Sequence, residues 1–163
     1  MAPSPDPALR FSAVLLAGGR SSRMGRDKAH LLWNGVPLWE HQLQTLRELE
    51  PTELLISTRA EQVYEAPGVR LIPDEAADLG PLSGVAAALQ FMQTEWLVVL
   101  AVDLPEMSAQ YLQPLLDQAR QTGRGVVPFA TDGMSHWPPS IRNRAPNWQC
   151  ASFGRKIARS SAS

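Results

Sequence analysis

The chain reads as an α/β fold with a mostly parallel sheet, on three observations. Short apolar runs alternate with amphipathic stretches. The loops between them are short. Glycine, proline and aspartate stand where the apolar runs stop. In such sheets ligands sit beyond the carboxyl ends of the strands, so residues that close the apolar runs are the first candidates for function.

Phe11 to Ala17 (FSAVLLA) is too short for a helix and carries a β-branched valine, which favours a buried strand ending at Gly18-Gly19. Pro37 can open a helix. Leu38, Trp39, Leu43, Leu46 and Leu49 recur at helical spacing before Pro51 stops it. Glu53 to Thr58 is a second strand. Val69 to Ile72 is a third, closed by Pro73-Asp74. Ser83 is expected to N-cap a helix with Val85, Ala88, Leu89 and Met92 on one face. Glu95 to Val102 is the most strongly apolar strand and ends at Asp103. Ser108 caps a further helix through Ala119, with Pro114 inside it. Gly125 to Phe129 is a fifth strand. Trp33, Trp39 and Trp96 read as packing residues, and His30, His41 and His136 lack metal-ligand spacing.

Composition narrows the function. The 163 residues suffice for one domain with a core, and 44% are hydrophobic. With 15 basic and 16 acidic residues and no block of like charge, neither nucleic acid nor a membrane surface is an expected partner. One cysteine, Cys150, excludes an internal disulfide and suits a reducing compartment, so the expected location is cytoplasmic. The proline-rich start, residues 1–10, is expected to be a disordered leader rather than a signal peptide. Trp96 to Val102, the longest apolar run, is too short to span a bilayer.

Leu16 to Lys28 (LAGGRSSRMGRDK) carries the chemistry. Glycines lacking Cβ let main-chain N–H groups converge on an anion. Arg20, Arg23, Arg26 and Lys28 add positive charge, and Ser21 and Ser22 add hydroxyls, a set suited to a polyphosphate. A dinucleotide fingerprint would need glycine where Arg20 and Arg23 stand, and a P-loop would need a following Gly-Lys-Ser/Thr. The alternative is a polar strand-to-helix turn.

Two aspartates join this loop. Asp103, in Val-Asp-Leu-Pro at the mouth of a strand, can hold Mg²⁺ against phosphate oxygens; a turn aspartate is the alternative. Asp74, in Ile-Pro-Asp, has the same two readings. Gly80 and Gly84 in Gly-Pro-Leu-Ser-Gly permit close main-chain approach beside a helix start.

Taken in order, LAGGRSSRMGRDK, Gly35-Val-Pro-Leu38, Pro73-Asp74, Gly80-Pro-Leu-Ser-Gly84 and Val102-Asp-Leu-Pro105 resemble the molybdenum cofactor guanylyltransferases of the MobA type, over residues 11–133. The resemblance implies a three-layer α/β/α sandwich with a Rossmann-like sheet, of the nucleotide-diphospho-sugar transferase type. It implies GTP as donor, the terminal phosphate of molybdopterin (with or without molybdenum) as acceptor, and Mg²⁺ as cofactor. The GMP group moves and pyrophosphate leaves; molybdoenzymes or their chaperones would receive the product. On the same footing Leu16, Ala17 and Gly18 contact the nucleotide and Gly19 shapes the loop. Lys28 and Arg23 meet the triphosphate, Asp74 helps hold the nucleotide, and Asp103 carries the metal. A cytidylyltransferase or sugar-phosphate nucleotidyltransferase shares the loop and stays open as an alternative. Ser57-Thr58 stands where relatives can carry an asparagine, which weakens a base-recognition role there.

The resemblance ends near Gly133. Residues 134–163 show neither strand nor helix periodicity, whereas relatives continue through a Glu-Pro-Leu-type strand. Read from the last base of the Met134 codon, permitted codons spell Glu-Pro-Leu-Ala-Ala-Ile-Tyr-Pro, which suggests a shifted reading frame; a divergent tail is the alternative. A GTP-binding remnant without turnover is the matching functional alternative.

Overall fold

Four parallel strands organise the first of two compact units, residues 1–109; residues 110–163 form the second. The computed structural model describes residues 9–18, 28–59, 62, 64–74, 80–129 and 149–153. In chain order the first unit holds β1 (Phe11–Leu16), a 3-10 turn (Lys28–His30), β2 (Leu32–Trp33), β3 (Val36–Pro37), α1 (Leu38–Arg47), β4 (Glu53–Thr58), β5 (Val69–Pro73), α2 (Pro81–Phe91) and β6 (Trp96–Ala101). The order across the sheet is β5-β4-β1-β6, all parallel. The chain moves outward from β1 to β5, then crosses back through α2 to β6, so the order reverses between β1 and β6. Such switch points are where parallel sheets open a crevice at the carboxyl ends of their strands.

Central β1 is buried along nearly its whole length, as its largely apolar run, interrupted only by Ser12, requires of a strand covered on both faces. Val14 and Leu16 pack with Leu55, Ile72, Ala88 and Met92 beneath α2. Strand alternation sends Ala13 and Leu15 to the opposite face, where α1 packs on β1 and buries Leu38, Trp39, Leu43 and Leu46. The sheet is thus flanked by helices, as expected.

Four local expectations change. The helix beginning at Leu38 ends at Arg47; Glu50 takes a left-handed φ of 55° before Pro51, so Leu49 is buried from outside the helix. The next helix begins at Pro81, with Gly80 rather than Ser83 as its N-cap. Gly80 supplies φ 60°, which favours glycine, and Pro81 needs no N–H in the first turn. The buried face of α2 carries Ala87, Ala88 and Phe91, and Leu89 is exposed. The strongest apolar run is not the best buried: β6 is an edge of the described sheet, only Leu100 in it is buried, and Val99 is exposed.

An unforeseen hairpin precedes α1. Asn34 (φ 51°) and Gly35 (φ 85°) make the two-residue turn between β2 and β3, the backbone pairing that Asn-Gly favours. In the second unit, α3 (Ala109–Thr122) includes Pro114 without a break in the helix, and β7 (Gly125–Phe129) pairs antiparallel with β8 (Gln149–Phe153). The rest of the tail, and residues 1–8 of the leader, lie outside the described residues. No helix among the described residues is long and apolar enough to cross a membrane.

Candidate functional site

Parallel register brings four strand ends to one rim. Leu16 pairs with Ser57 on one side and Ala101 on the other, and Thr58 pairs with Pro73. The ladder runs one residue past each strand: Ala17 N–H donates to Ser57 O (3.0 Å), Val102 N–H to Leu16 O (3.2 Å) and Asp74 N–H to Thr58 O (2.8 Å). Leu16 to Gly18, Ser57, Asp74 and the turn holding Asp103 therefore line the same edge of the sheet.

Gly18 and Asp74 are in close approach. A Cβ on Gly18 would lie 2.8 Å from Asp74 Oδ2. Because β4 separates β1 from β5, the main chain at Gly18 leans across a whole strand to reach that carboxylate. Asp74 is held from its other side by the Ser83 hydroxyl, which donates to Oδ1 and also lies 3.0 Å from Gly80 O. Gly84 sits equally close over β4, where a Cβ would fall 2.6 Å from Ser57 Oγ and 2.9 Å from Leu16 Cδ2. Gly18 and Gly84 are thus glycine because of what lies against them. The first turn of α2, whose leading N–H groups have no partner within the helix, is pressed onto the rim.

Asp103 stands two residues beyond β6, next to the switch point, with an exposed side chain. Among the described residues no three His, Cys, Asp or Glu side chains cluster as a metal cage. Mg²⁺ does not need one: it commonly takes one or two carboxylates, substrate phosphates and water. A single exposed aspartate beside a glycine turn fits that donor chemistry.

Lys28 opens the 3-10 turn and is exposed. It forms no ion pair with Asp74 or Asp103 among the described residues. Its turn is anchored by its neighbours: Ala29 is fully buried, and His30 stacks on Tyr64 with ring centroids 5.7 Å apart. Tyr64 in turn meets Trp39 of α1 edge-on at 5.3 Å. Trp39 is buried and Trp33 and Trp96 half-buried, as packing residues should be. Gly19 and Arg23, with Arg20, Ser21, Ser22 and Arg26, lie outside the described residues.

Three further polar residues bear on this rim; the sequence reading named Ser57 only as a departure from an asparagine, and did not single out Gln62 or Gln42. Ser57 is 1% exposed and its Oγ has no hydrogen-bond partner among the described residues. Gln62 Nε2 donates to Ala17 O at 3.5 Å. Gln42, fully buried in α1, donates from Nε2 to Leu104 O. A glutamine amid the leucines of an apolar helix face was the available signal for Gln42; Gln62 had none.

Comparison with known proteins agrees with this arrangement. The chain is 40% identical over 129 residues to a probable molybdenum cofactor guanylyltransferase of Opitutus terrae, covering 77% of this chain and 63% of that protein. It is 40% identical over 121 residues to a molybdenum cofactor guanylyltransferase of Pseudomonas aeruginosa, covering 72% and 61%. The chain thus spans under two thirds of the length of these relatives. Among solved structures, a nucleotidyl transferase from Methanothermobacter thermautotroptrophicus superposes with TM-score 0.60 at 24% identity, covering 66% of this chain and 57% of that one. A 2-C-methyl-D-erythritol 4-phosphate cytidylyltransferase from Thermus thermophilus does so with TM-score 0.60 at 20% identity, covering 78% and 58%. At those identities the two structures speak for the fold alone. The sequence profile of the MobA-like NTP transferase domain matches residues 13–160, past the point near Gly133 where the motif-by-motif resemblance ends. With a parallel sheet of this order and the glycine turn against Asp74, that match places the chain in the MobA-like NTP transferase domain family.

Proposed function

We propose that the chain binds GTP at the carboxyl rim of its sheet and transfers GMP to the terminal phosphate of molybdopterin, forming the guanine dinucleotide cofactor. The observation that carries this reading is the convergence at β1: the glycine turn leans onto Asp74 on one side, and the Asp103 turn leaves the adjacent strand on the other. The relatives named as molybdenum cofactor guanylyltransferases supply the choice of base and acceptor.

An acceptor phosphate oxygen attacks the α-phosphorus of GTP. The bond from that phosphorus to the bridging oxygen breaks, and pyrophosphate leaves with the electron pair. The acceptor brings its own nucleophile, so the protein's work is positioning and charge neutralisation. Leu16, Ala17, Gly18 and Gly19 offer main chain to the nucleotide. Asp74, fixed by Ser83, helps orient it. Lys28 and Arg23 offset triphosphate charge, and Asp103 holds Mg²⁺, which when bound neutralises charge on the phosphates. The compartment suited to this chemistry is the cytoplasm, and molybdoenzymes or their chaperones are the recipients of the product.

The test is turnover of purified protein with molybdopterin and each nucleoside triphosphate. GTP-dependent release of pyrophosphate is expected. A preference for CTP would replace the guanylyl reading with a cytidylyl one. GTP·Mg²⁺ binding without pyrophosphate release would mark a binding remnant, the outcome linked to the departure of residues 134–163 from the family pattern. Lys28→Ala is expected to weaken GTP binding; unchanged affinity would remove Lys28 from the site.

A further inference from the structure

The turn that carries Asp103 is held by hydrogen bonds from α1, and we infer that Gln42, assisted by His41, is a positioning residue for the Asp103 carboxylate. The inference rests on the reading of Asp103 as the metal-holding residue. Two consecutive helix residues grip two consecutive carbonyls. Gln42 Nε2 donates to Leu104 O, and His41 Nε2–H donates to Pro105 O at 3.0 Å. Leu104 O also accepts from Met107 N–H at 2.9 Å, so the carbonyl directly after Asp103 has two donors.

Packing alone does not account for Gln42. It is fully buried, its Oε1 has no hydrogen-bond partner among the described residues, and it lies on the helix face that otherwise buries Leu38, Trp39, Leu43 and Leu46. A buried amide with one half unsatisfied is a net cost to folding. Leucine or methionine would fill the space without that cost. What the amide uniquely provides is a donor to the main chain beside Asp103. That turn follows a strand at an edge of the described sheet with little burial of its own, and α1 supplies these two side-chain hydrogen bonds to it. An exposed aspartate on a loosely held turn would have to be ordered each time it met a metal-bound triphosphate. A turn fixed in advance avoids that loss.

The same helix also supports Lys28, through Trp39 against Tyr64 and Tyr64 against His30. Helix α1 thereby ties together the supports of a cation and a carboxylate that stand at different points of the chain.

The experiment compares GTP affinity, by titration calorimetry without acceptor, in EDTA and in saturating Mg²⁺. The ratio of the two affinities is the readout, and no turnover is needed. Residues that orient a metal ligand typically change metal affinity on the order of 10–100-fold. Gln42→Met is expected to lower the Mg²⁺-dependent gain about 10-fold, at the small end of that range because Met107 N–H still holds Leu104 O. Its affinity in EDTA should match the parent, and its melting temperature should be no lower. His41→Leu should shift the ratio in the same direction by less, and it carries the test if Gln42→Met does not fold. Added to Asp103→Asn, Gln42→Met should cause no further loss, because its effect passes through Asp103. An undiminished gain in Gln42→Met, or an equal loss with and without Asp103, overturns the proposal alone. An undiminished gain in Asp103→Asn overturns the metal reading beneath it.

Discussion

The two ends of the same four strands handle polar groups in opposite ways. At the amino end, Glu53 is used up by structure. It accepts from Ser12 Oγ at 2.9 Å and from Gln93 N–H at 3.1 Å, and it meets Arg70 at 3.7 Å. Ser12 is fully buried and lies 2.8 Å from the Thr94 hydroxyl, which donates to Trp96 O. Arg70 continues the chain of contacts, donating to Phe91 O and lying over the Phe91 ring. At the carboxyl end, Asp103 and Lys28 are exposed, and buried Ser57 Oγ lacks a partner among the described residues. Both ends carry carboxylates and hydroxyls; at the carboxyl end Ser83 engages Asp74, while Asp103, Lys28 and Ser57 Oγ are left open. A buried polar group left without a partner, as Ser57 Oγ is among the described residues, is a cost that function commonly explains, whereas a satisfied network is a staple.

Substitutions should separate the ends, beginning with the largest effect. Asp103→Ala is expected to lower Mg²⁺-dependent turnover by at least about 100-fold, as loss of a charge-stabilising group commonly does, with an unchanged melting temperature. Parental turnover in that variant would leave the open end without a metal role. Gly84→Ala should destabilise the domain by about 1–3 kcal/mol in urea unfolding, because the new methyl meets Ser57 Oγ and Leu16 Cδ2 and both must move. Full stability would show that α2 sits less closely on the rim than described.

The same serine-to-alanine change then probes each end. Ser12→Ala should cost about 1–3 kcal/mol, since Glu53 loses the buried hydroxyl that donates to it, with GTP affinity unaltered. Ser57→Ala should be neutral or stabilising by up to about 1 kcal/mol, since no hydrogen bond is lost. Equal losses from the two serines would erase the contrast.

What could be read from the amino acids follows the same division. The apolar runs at Phe11 and Glu53 became the buried central strands, because burial on two faces leaves little choice of pattern. The strand ends holding Gly18 and Asp74 were legible for the same reason: strands of a parallel sheet all finish on one side. Tertiary contacts were not. Ser83 has the chemistry of an N-cap, yet Gly80 and Pro81 set the helix start by backbone preference, and the serine became free to hold Asp74. The Trp96 run is the most strongly apolar yet lies at an edge of the described sheet, since apolarity does not report how many neighbours a strand has. Asn34-Gly35 did announce its hairpin and was overlooked. Gln42 stands out in the sequence only as a glutamine on a leucine-rich face; its carbonyl partner is a tertiary contact that the sequence does not carry. Pairing of Gln149–Phe153 with β7 had no periodicity to announce it.

The most direct test of the open rim is a crystal of the protein grown with GTP and Mn²⁺, with the metal located by its anomalous scattering. A peak at the Asp103 carboxylate, with the triphosphate against Gly18 and Lys28, is the expected result. A peak away from Asp103, or GTP seated elsewhere than the end of β1, would contradict the assignment of this rim as the site of transfer.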